Sequence, residues 1–352
     1  MHEHAVSSLA DTPWPEGGLV RVTNCPVCNN DQRDLMYEGL SDTVFFCAPG
    51  RWTLYRCTAC RSGYLDPRPS EETLGLAYSN YYTHGQFDPQ ADQPTNPEQF
   101  AGSFRQSLRN GYENFRYGTK KEPAASLGAL VGFCWPRMSQ VIDYLNYYIT
   151  NRPHRLLEIG FGGGRFLSRA HINGWNPIGV DLDPVAIAQA REAGLEVYEG
   201  GIEIMIEKDI RFDAIALSHS IEHVPDPVGV LKTAFSLLNP GGMIYLDTPN
   251  LEASGHNEFR NNWRGLEPPR HLVIFTWESM ERLLREIGFV KFKRHPRPQV
   301  TQMIWNASSR IKRGVPYDSH ELDQVTVPLS RRLAPYISRS SQEFLTLTAT
   351  KP

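Results

Sequence analysis

Residues 154–167, His-Arg-Leu-Leu-Glu-Ile-Gly-Phe-Gly-Gly-Gly-Arg-Phe-Leu, decide the fold of this 352-residue chain. An apolar run with one acidic residue leads directly into closely spaced glycines, which predicts a buried strand, a tight turn and a helix. Such a turn lets backbone N–H groups approach a bound molecule, as in nucleotide pockets. A dinucleotide fingerprint needs glycines at its first, third and sixth positions, but the sixth position counted from Gly160 is Arg165. NAD is therefore disfavoured.

Length and composition favour a globular protein with two domains or one elaborated domain. Hydrophobic residues make up 40% of the chain, and the formal net charge is −3. This charge provides no general attraction to nucleic acid. The first residues contain no apolar signal core, and no apolar run has the length of a transmembrane helix. We expect a cytoplasmic protein without a membrane-spanning segment; the sequence does not predict its oligomeric state.

Four of the six cysteines form two pairs with two-residue spacers: Cys25 and Cys28, and Cys57 and Cys60. Two such pairs supply four soft thiolate ligands to one tetrahedral Zn²⁺. A redox pair would need only one such motif, and cytosolic chains rarely keep disulfides. Residues 53–56 and 62–65 have strand-like patterns, so we predict a zinc ribbon within residues 1–90 that depends on structural Zn²⁺. Asn29 and Arg61 stand where a glycine usually follows each pair.

Residues 91–150 are predicted to form a linker and helices that cap the core. Proline, Asp and Asn dominate residues 87–99, which indicates a linker or loop. Two helices are predicted near residues 100–116 and 136–149, and the second has apolar residues at helical spacing. Before the linker, residues 78–84 contain three tyrosines and a histidine, which either line a substrate pocket or pack at a junction.

The segment after the glycine turn alternates strands and helices with the spacing of βαβ units. Strands are predicted at residues 175–181, 195–198, 212–217 and 242–247, and a last strand at residues 344–350. Asp181, at the end of the second strand, is placed to accept hydrogen bonds from both hydroxyls of a ribose.

The pattern acid-x-Gly-x-Gly-x-Gly resembles the first motif of class I S-adenosylmethionine (SAM) methyltransferases. Residues 218–227, 238–242 and 247–250 are similar to the ubiquinone-methyltransferase-like branch of that family. Residues 263–272 resemble relatives that carry an N-terminal zinc ribbon and modify sugars or cell-surface polymers. The resemblance implies an α/β fold: a Rossmann-like, seven-stranded methyltransferase sheet in residues 151–352, with a small zinc-ribbon module, a helical linker and an antiparallel edge strand at the end.

The same resemblance implies a SAM site made by the carboxyl ends of the strands. The glycines would approach the amino-acid half of SAM, Glu158 would act around its ammonium group, and Leu182 would lie beside the adenine. Residues after the third strand would make a backbone contact to adenine. The complete predicted set is Glu158, Gly160, Gly162, Gly164, Asp181, Leu182, Gly201, Ile202 and Ser218.

Four residues are candidates for the chemistry: His219, Glu222, His223 and His271. In one interpretation, His271 or His219 is a general base for a sugar or phenol hydroxyl. In another, all four bind a divalent metal that holds two substrate oxygens and lowers their pKa. That arrangement resembles small-RNA 2′-O-methyltransferases and some ubiquinone O-methyltransferases, where a Glu-x-x-Glu-His element joins a later His; here His219 replaces the first Glu. The third interpretation is structural: Glu222 and His223 cap a helix and bind loops.

Residues 263–272 and the residues just before them also contain side chains that could contact a substrate. Arg260, Arg264 or Arg270 could clamp a phosphate or carboxylate, or they are surface arginines on a polar loop. Trp263 is either a stacking platform or a core residue under the loop.

Together these features predict a SAM-dependent methyltransferase that acts on a hydroxyl of a sugar, a glycoconjugate or another small metabolite. C-methylation is also compatible with the sequence. The alternatives are an RNA 2′-O-methyltransferase, which the acidic charge disfavours, and a catalytically silent SAM-binding scaffold protein. The expected partner is therefore a small molecule or a glycan.

Overall fold

The N-terminal module is a small β-rich unit. The computed structural model describes residues 9–78, 104–150, 153–315 and 325–352. The first part contains β1 (Leu19–Val20), β2 (Arg33–Leu40), β3 (Trp52–Cys57), β4 (Gly63–Leu65), β5 (Arg68–Pro69), α1 (Glu71–Leu74) and a 3₁₀ turn (Gly75–Tyr78). Tyr78 is the last described residue before the gap, so residues 79–84 and the proline-containing stretch 87–99 lie outside the described residues.

Helices then lead to the central sheet. They are α2 (Phe104–Tyr117), a 3₁₀ turn (Ser126–Leu130), α3 (Val131–Cys134) and α4 (Pro136–Leu145). The predicted second helix is shorter than expected, because Tyr147 and Tyr148 have left-handed φ values of 49° and 55°. This conformation is incompatible with a continuing right-handed helix.

The central part alternates strands and helices, as predicted. Its elements are β6 (Leu156–Ile159), α5 (Arg165–Ile172), β7 (Pro177–Asp181), α6 (Pro184–Glu192), β8 (Glu196–Glu199), α7 (Glu203–Glu207), β9 (Phe212–Ser218), a 3₁₀ turn (Ile221–His223), α8 (Pro227–Leu237) and β10 (Leu238–Pro249). Asp183 and Asp226 cap α6 and α8 by accepting backbone N–H groups, and a proline follows each cap. Both features are typical of helix starts.

The last part completes the sheet and returns to the ribbon. It contains α9 (Ser254–Phe259), a 3₁₀ turn (Arg260–Asn262), β11 (Val273–Ile274), α10 (Trp277–Ile287), β12 (Val290–Arg294), a 3₁₀ turn (Pro298–Val300), α11 (Thr301–Lys312), α12 (Leu329–Ile337), a 3₁₀ turn (Arg339–Ser341) and β13 (Phe344–Thr350). Within the described ranges, no helix combines the length and the apolar character that a membrane crossing requires.

The central sheet has seven strands in the order β12-β13-β10-β9-β6-β7-β8, which confirms the predicted Rossmann-like α/β fold. Strands β10, β9, β6, β7 and β8 are parallel, and β13 runs antiparallel to both of its neighbours. The prediction that the last strand lies at the edge is wrong, because β12 pairs with its outer side. Leu345 and Leu347 of β13 are buried, whereas most side chains of β12 are exposed, as an edge strand tolerates.

A second sheet joins the ribbon to the main sheet's loops, with the order β11-β4-β3-β2. Its outer strand β11 pairs antiparallel with β4, with Val273 opposite Tyr64. The predicted division into residues 1–90, 91–150 and 151–352 remains a prediction. β11 of the ribbon sheet nevertheless lies just after His271, one of the predicted catalytic residues.

Candidate functional site

The glycine turn after β6 has a backbone that only glycine adopts without strain. Gly160, Gly162 and Gly164 have φ values of 68°, 50° and 61°. A Cβ added at Gly160 would lie 2.7 Å from the Cβ of Ser220, so this position is also too crowded for a side chain. The turn therefore presents bare backbone at the carboxyl edge of the sheet, where open α/β sheets bind ligands.

Glu158 is a buried carboxyl group with half of its hydrogen-bonding capacity unused. The hydroxyl of Tyr147 donates to Oε1 at 3.0 Å, and Tyr147 is stacked between Phe166 and Tyr245. Among the described residues, Oε2 has no hydrogen-bond partner. Burial raises the pKa of Glu158 to about 8, against the opposing hydrogen bond from Tyr147. A buried acceptor of this kind fits a cationic ligand group such as an ammonium.

Asp181 lies beside the glycine turn because β7 pairs in parallel with β6. Its Oδ2 accepts the backbone N–H of Gly162 at 2.8 Å, and its Oδ1 accepts that of Asp183 at 2.9 Å. Burial raises the pKa of Asp181. Glu158 and Asp181 thus stand at the ends of neighbouring strands, as the sequence predicted from the βαβ order.

The remaining predicted cofactor residues surround this edge. Leu182 follows Asp181 and is 73% exposed, while Ile202 is buried. A Cβ at Gly201 would lie 2.2 Å from a carboxylate oxygen of Glu203. Ser218 is the half-buried last residue of β9, the strand on the other side of β6. Their roles toward a cofactor stay a prediction.

A second cluster forms one strand further along the same edge. The 3₁₀ turn after β9 carries Glu222 and His223, and the loop before β11 brings His271 to them. One potential ligand atom from each of these three residues lies within 4.8 Å of the other two. The rings of His223 and His271 meet edge to face, with centroids 4.8 Å apart.

Both histidines of this cluster are oriented by backbone carbonyl groups. Nδ1 of His271 lies 2.8 Å from the oxygen of Gly265, and Nδ1 of His223 lies 3.1 Å from that of Arg270. Since a carbonyl only accepts, we assign the proton to Nδ1 in each ring, which leaves the Nε2 lone pair for a ligand. Burial lowers the pKa of His271 to about 4 and also lowers the pKa of His223. Both rings are neutral at pH 7.

The carboxylate of Glu222 completes a set of two imidazoles and one carboxylate. Glu222 is fully buried; Oε2 accepts the hydroxyl of Thr248 at 2.9 Å, and Oε1 has no hydrogen-bond partner among the described residues. Burial by itself would raise the pKa of Glu222, but the neighbouring histidines lower it overall. Such a set of donors suits a divalent transition metal with positions left open for substrate oxygens.

The structure brings three of the four predicted residues together and places the fourth, His219, beside them between two carboxylates. Nδ1 of His219 lies 3.5 Å from Oε1 of Glu222, and Nε2 lies 3.4 Å from Oδ2 of Asp247. Burial favours the neutral ring, but the two carboxylates raise the pKa of His219 to about 9. The ring is therefore an imidazolium at pH 7, without a lone pair for a metal or a proton.

The sequence did not predict this position, because His219 has a left-handed φ of 54° and the residues after it form a 3₁₀ turn. Asp247 is also a residue that the sequence reasoning left without a role. Burial favours its neutral form, but Arg297 and His219 lower its pKa to about 2.

The predicted substrate clamp is not supported for Arg270. Its side chain is fully buried and forms ion pairs with Asp42 and Glu267. Arg264 also pairs with Glu267. Trp263 is 2% exposed and donates its indole N–H to Glu343 at 3.1 Å, which confirms its interpretation as a core residue.

The four cysteines converge at the other end of the ribbon. Their sulfur atoms lie within 4.8 Å of one another, with Cys25 and Cys60 3.5 Å apart and Cys28 and Cys57 also 3.5 Å apart. This arrangement fits a tetrahedral Zn²⁺ site.

Both turns that carry the cysteines form without the usual glycine. Asn29 and Arg61 adopt left-handed φ values of 60° and 65°. Their N–H groups donate to the carbonyl groups of Cys25 and Cys57 at 2.8 and 3.0 Å. The backbone geometry of the turn is therefore kept, although Arg61 adopts it at a steric cost.

Known proteins and one family model match part of this chain. Residues 136–293 match a family model described as a methyltransferase domain. Ubiquinone biosynthesis O-methyltransferase of Xylella fastidiosa (strain M23) is 33% identical over 119 residues, which are 31% of this chain and 47% of that protein. The corresponding protein of Dechloromonas aromatica (strain RCB) is 32% identical over 116 residues, 31% of this chain and 50% of that protein. The chain spans about half the length of the curated relatives it matches.

Solved structures with some similarity include a SAM-dependent methyltransferase from Archaeoglobus fulgidus. It has a TM-score of 0.41 and 20% identity, and it covers 61% of this chain and 92% of its own. The [4+2]-cyclase SpnF has a TM-score of 0.41 and 18% identity, covering 62% of this chain and 83% of its own.

Proposed function

We propose that this chain, whose residues 136–293 match a methyltransferase-domain family model, is a class I SAM-dependent methyltransferase that acts on a hydroxyl of a small hydroxylated metabolite, a sugar or a glycoconjugate. The observation that supports this most is the presence of two carboxyl groups, Glu158 and Asp181, beside the glycine turn. One carboxyl group has a buried oxygen without a hydrogen-bond partner in the part of the chain that the structure describes, and the other accepts a backbone N–H of the turn.

In this proposal, SAM supplies a methyl group on an already activated sulfonium, so the protein mainly has to align the reactants. Glu158 holds the ammonium of the cofactor, and Asp181 accepts hydrogen bonds from the ribose hydroxyls. Leu182, Gly201 and Ile202 line the side of the adenine. Gly160 keeps the turn backbone close to the amino-acid half, because no side chain fits there.

We further propose that Glu222, His223 and His271 hold a divalent cation at the acceptor side. Such an ion would lower the pKa of an acceptor hydroxyl. His219 acts on this set as a positive charge that keeps Glu222 ionised, rather than as a ligand. If no metal binds, the neutral Nε2 of His271 can accept the proton of the acceptor hydroxyl. The cysteine cluster holds a structural Zn²⁺.

Calorimetric titration with SAM and S-adenosylhomocysteine tests the cofactor site. We expect binding by the wild type and its loss in Asp181→Ala and Gly162→Arg. Asp213→Asn is the matched control, because Asp213 binds the backbone of residues 154 and 155 at the opposite edge of the sheet. Absence of binding by the wild type, or full binding by Asp181→Ala, would contradict the proposal.

Methyl transfer is tested by mass spectrometry of metabolites and polymers incubated with the protein and labelled SAM. The mass shift and the methylated atom distinguish O- from C-methylation. An RNA methyltransferase would instead bind RNA with strong salt dependence. A scaffold protein would bind SAM, transfer no methyl group and tolerate the substitution His271→Ala.

A further inference from the structure

Asp42, in the loop between β2 and β3 of the ribbon, contacts the buried side chain of Arg270, the residue directly before His271. Oδ1 and Oδ2 of Asp42 both accept hydrogen bonds from the guanidinium of Arg270, the second at 3.1 Å. The same guanidinium donates to the carbonyl of Ala77 at 2.8 Å. Both charged side chains are almost fully buried. The contact joins two segments that are 228 residues apart in the chain.

The carboxylate of Asp42 is itself held rigidly by its own loop. The backbone N–H groups of Phe45, Cys47 and Ala48 donate to it at 3.1, 3.0 and 3.1 Å. The ring of Phe45 lies under the guanidinium of Arg270, 4.7 Å from its central carbon. Charge-assisted, bidentate pairs of this kind fix geometry as well as charge.

The other side of Arg270 reaches the Glu222–His223–His271 cluster. Its carbonyl oxygen accepts the Nδ1 proton of His223, and its Nε donates to Glu267 at 3.0 Å. Glu267 in turn lies 3.7 Å from Nε2 of His271. Tyr78, at the end of the ribbon module, places its hydroxyl oxygen 2.9 Å from Nδ1 of His223. The orientation of both imidazoles therefore depends on a segment that the ribbon holds in place.

We propose that Asp42 is a positioning residue for the Glu222–His223–His271 cluster and acts through Arg270. The ribbon thereby helps to set the geometry of the site that would bind the methyl acceptor. This inference rests on the proposed divalent-cation role of the cluster. The ribbon would then orient the two histidines through Arg270, without itself contacting the metal. Partners of this type commonly change metal affinity by 10- to 100-fold when they are lost.

The test compares Asp42→Asn with Asp66→Asn in the zinc-loaded full-length protein. Asp66 is a matched control, because it is a buried ribbon aspartate paired with an arginine, Arg33 at 2.7 Å. Mn²⁺ is the probe, followed by electron paramagnetic resonance, since a hard cation avoids the thiolates. We expect Asp42→Asn to weaken Mn²⁺ binding about 10- to 100-fold. We expect Asp66→Asn to change it less than about twofold, and SAM affinity to be retained in both.

A second readout does not require metal. Two-bond ¹H–¹⁵N correlation spectra report which ring nitrogen of His223 and His271 carries the proton. We expect the Nδ1-protonated form in the wild type and in Asp66→Asn, and mixed forms in Asp42→Asn. Arg270→Lys, which keeps the charge but loses the bidentate geometry, is expected to behave like Asp42→Asn and replaces it if that variant does not fold.

Unchanged ring signals in both Asp42→Asn and Arg270→Lys would overturn the inference, and so would equal losses of Mn²⁺ affinity in Asp42→Asn and Asp66→Asn. Failure of the wild type to bind SAM contradicts the proposed function, and failure to bind Mn²⁺ contradicts its metal component. The ring signals are recorded without SAM or Mn²⁺. They therefore test the positioning role even if the wild type fails to bind either one.

Discussion

Substitution of Glu158 by Gln should change how the stability of the ligand-free protein depends on pH. The carboxyl group is buried, accepts one hydrogen bond from Tyr147 and has one oxygen without a partner among the described residues. Burial raises its pKa from the ordinary 4.5 to about 8, with a smaller raising effect from the charge of Asp181. Glutamine keeps the shape and the hydrogen bond from Tyr147 but cannot ionise.

Whether the free energy of unfolding rises or falls with pH depends on which state binds the Glu158 proton more tightly. Between pH 4.5 and pH 8 the folded protein holds the Glu158 proton and the unfolded chain releases it. The free energy of unfolding therefore falls as pH rises through this range, and the loss is complete above the folded pKa. At about 1.4 kcal/mol for each tenfold change in proton affinity, the full effect is on the order of 5 kcal/mol.

Urea denaturation at pH 5, 6, 7 and 8.5 measures this effect as the difference between wild type and Glu158→Gln, so that other titrating groups cancel. We expect the variant to gain several kcal/mol relative to the wild type as pH rises. Glu207→Gln is the control, because this carboxylate is exposed on α7. Saturating S-adenosylhomocysteine should remove most of the difference, since its ammonium would pair with the ionised carboxylate. Parallel pH profiles for wild type and Glu158→Gln would refute the reasoning.

Three other predictions follow from the glycine turn and the ribbon. Gly160→Ala should lower the free energy of unfolding by about 1–3 kcal/mol and weaken SAM binding, because the added Cβ would clash with Ser220. Gly163→Ala is the control in the same urea assay. It should change the free energy of unfolding by less than about 0.5 kcal/mol, because no described atom beyond its chain neighbours lies within 4 Å of the added Cβ. Arg61→Gly should stabilise the zinc-loaded protein by up to about 1 kcal/mol by relieving a left-handed φ; a lower unfolding midpoint would contradict this. Elemental analysis should find one zinc per chain, and Cys25→Ser should lose it and expose the ribbon to limited proteolysis.

Local patterns predicted a large part of the fold. The apolar strand, the glycine turn and the acidic strand end recur at the expected spacing, and parallel pairing of β6 with β7 then brings Glu158 and Asp181 to the same edge of the sheet. The cysteine spacing predicted the four-sulfur cluster for the same reason, since each pair is a local turn. The position of the last strand was not predictable in this way, because insertion between β10 and β12 depends on long-range pairing.

The surroundings of the Glu222–His223–His271 cluster were predictable only in part, for the same reason. The sequence by itself determined the central sheet, the glycine turn and the cysteine turns, because each depends on short-range periodicity and backbone preference. Only the tertiary structure decided that His219 lies between two carboxylates, that Trp263 is core, and that Arg270 is buried against Asp42 of the ribbon. Those outcomes depend on charges and burial contributed by segments far apart in the chain, and no local pattern encodes which distant carboxylate a buried cation will meet.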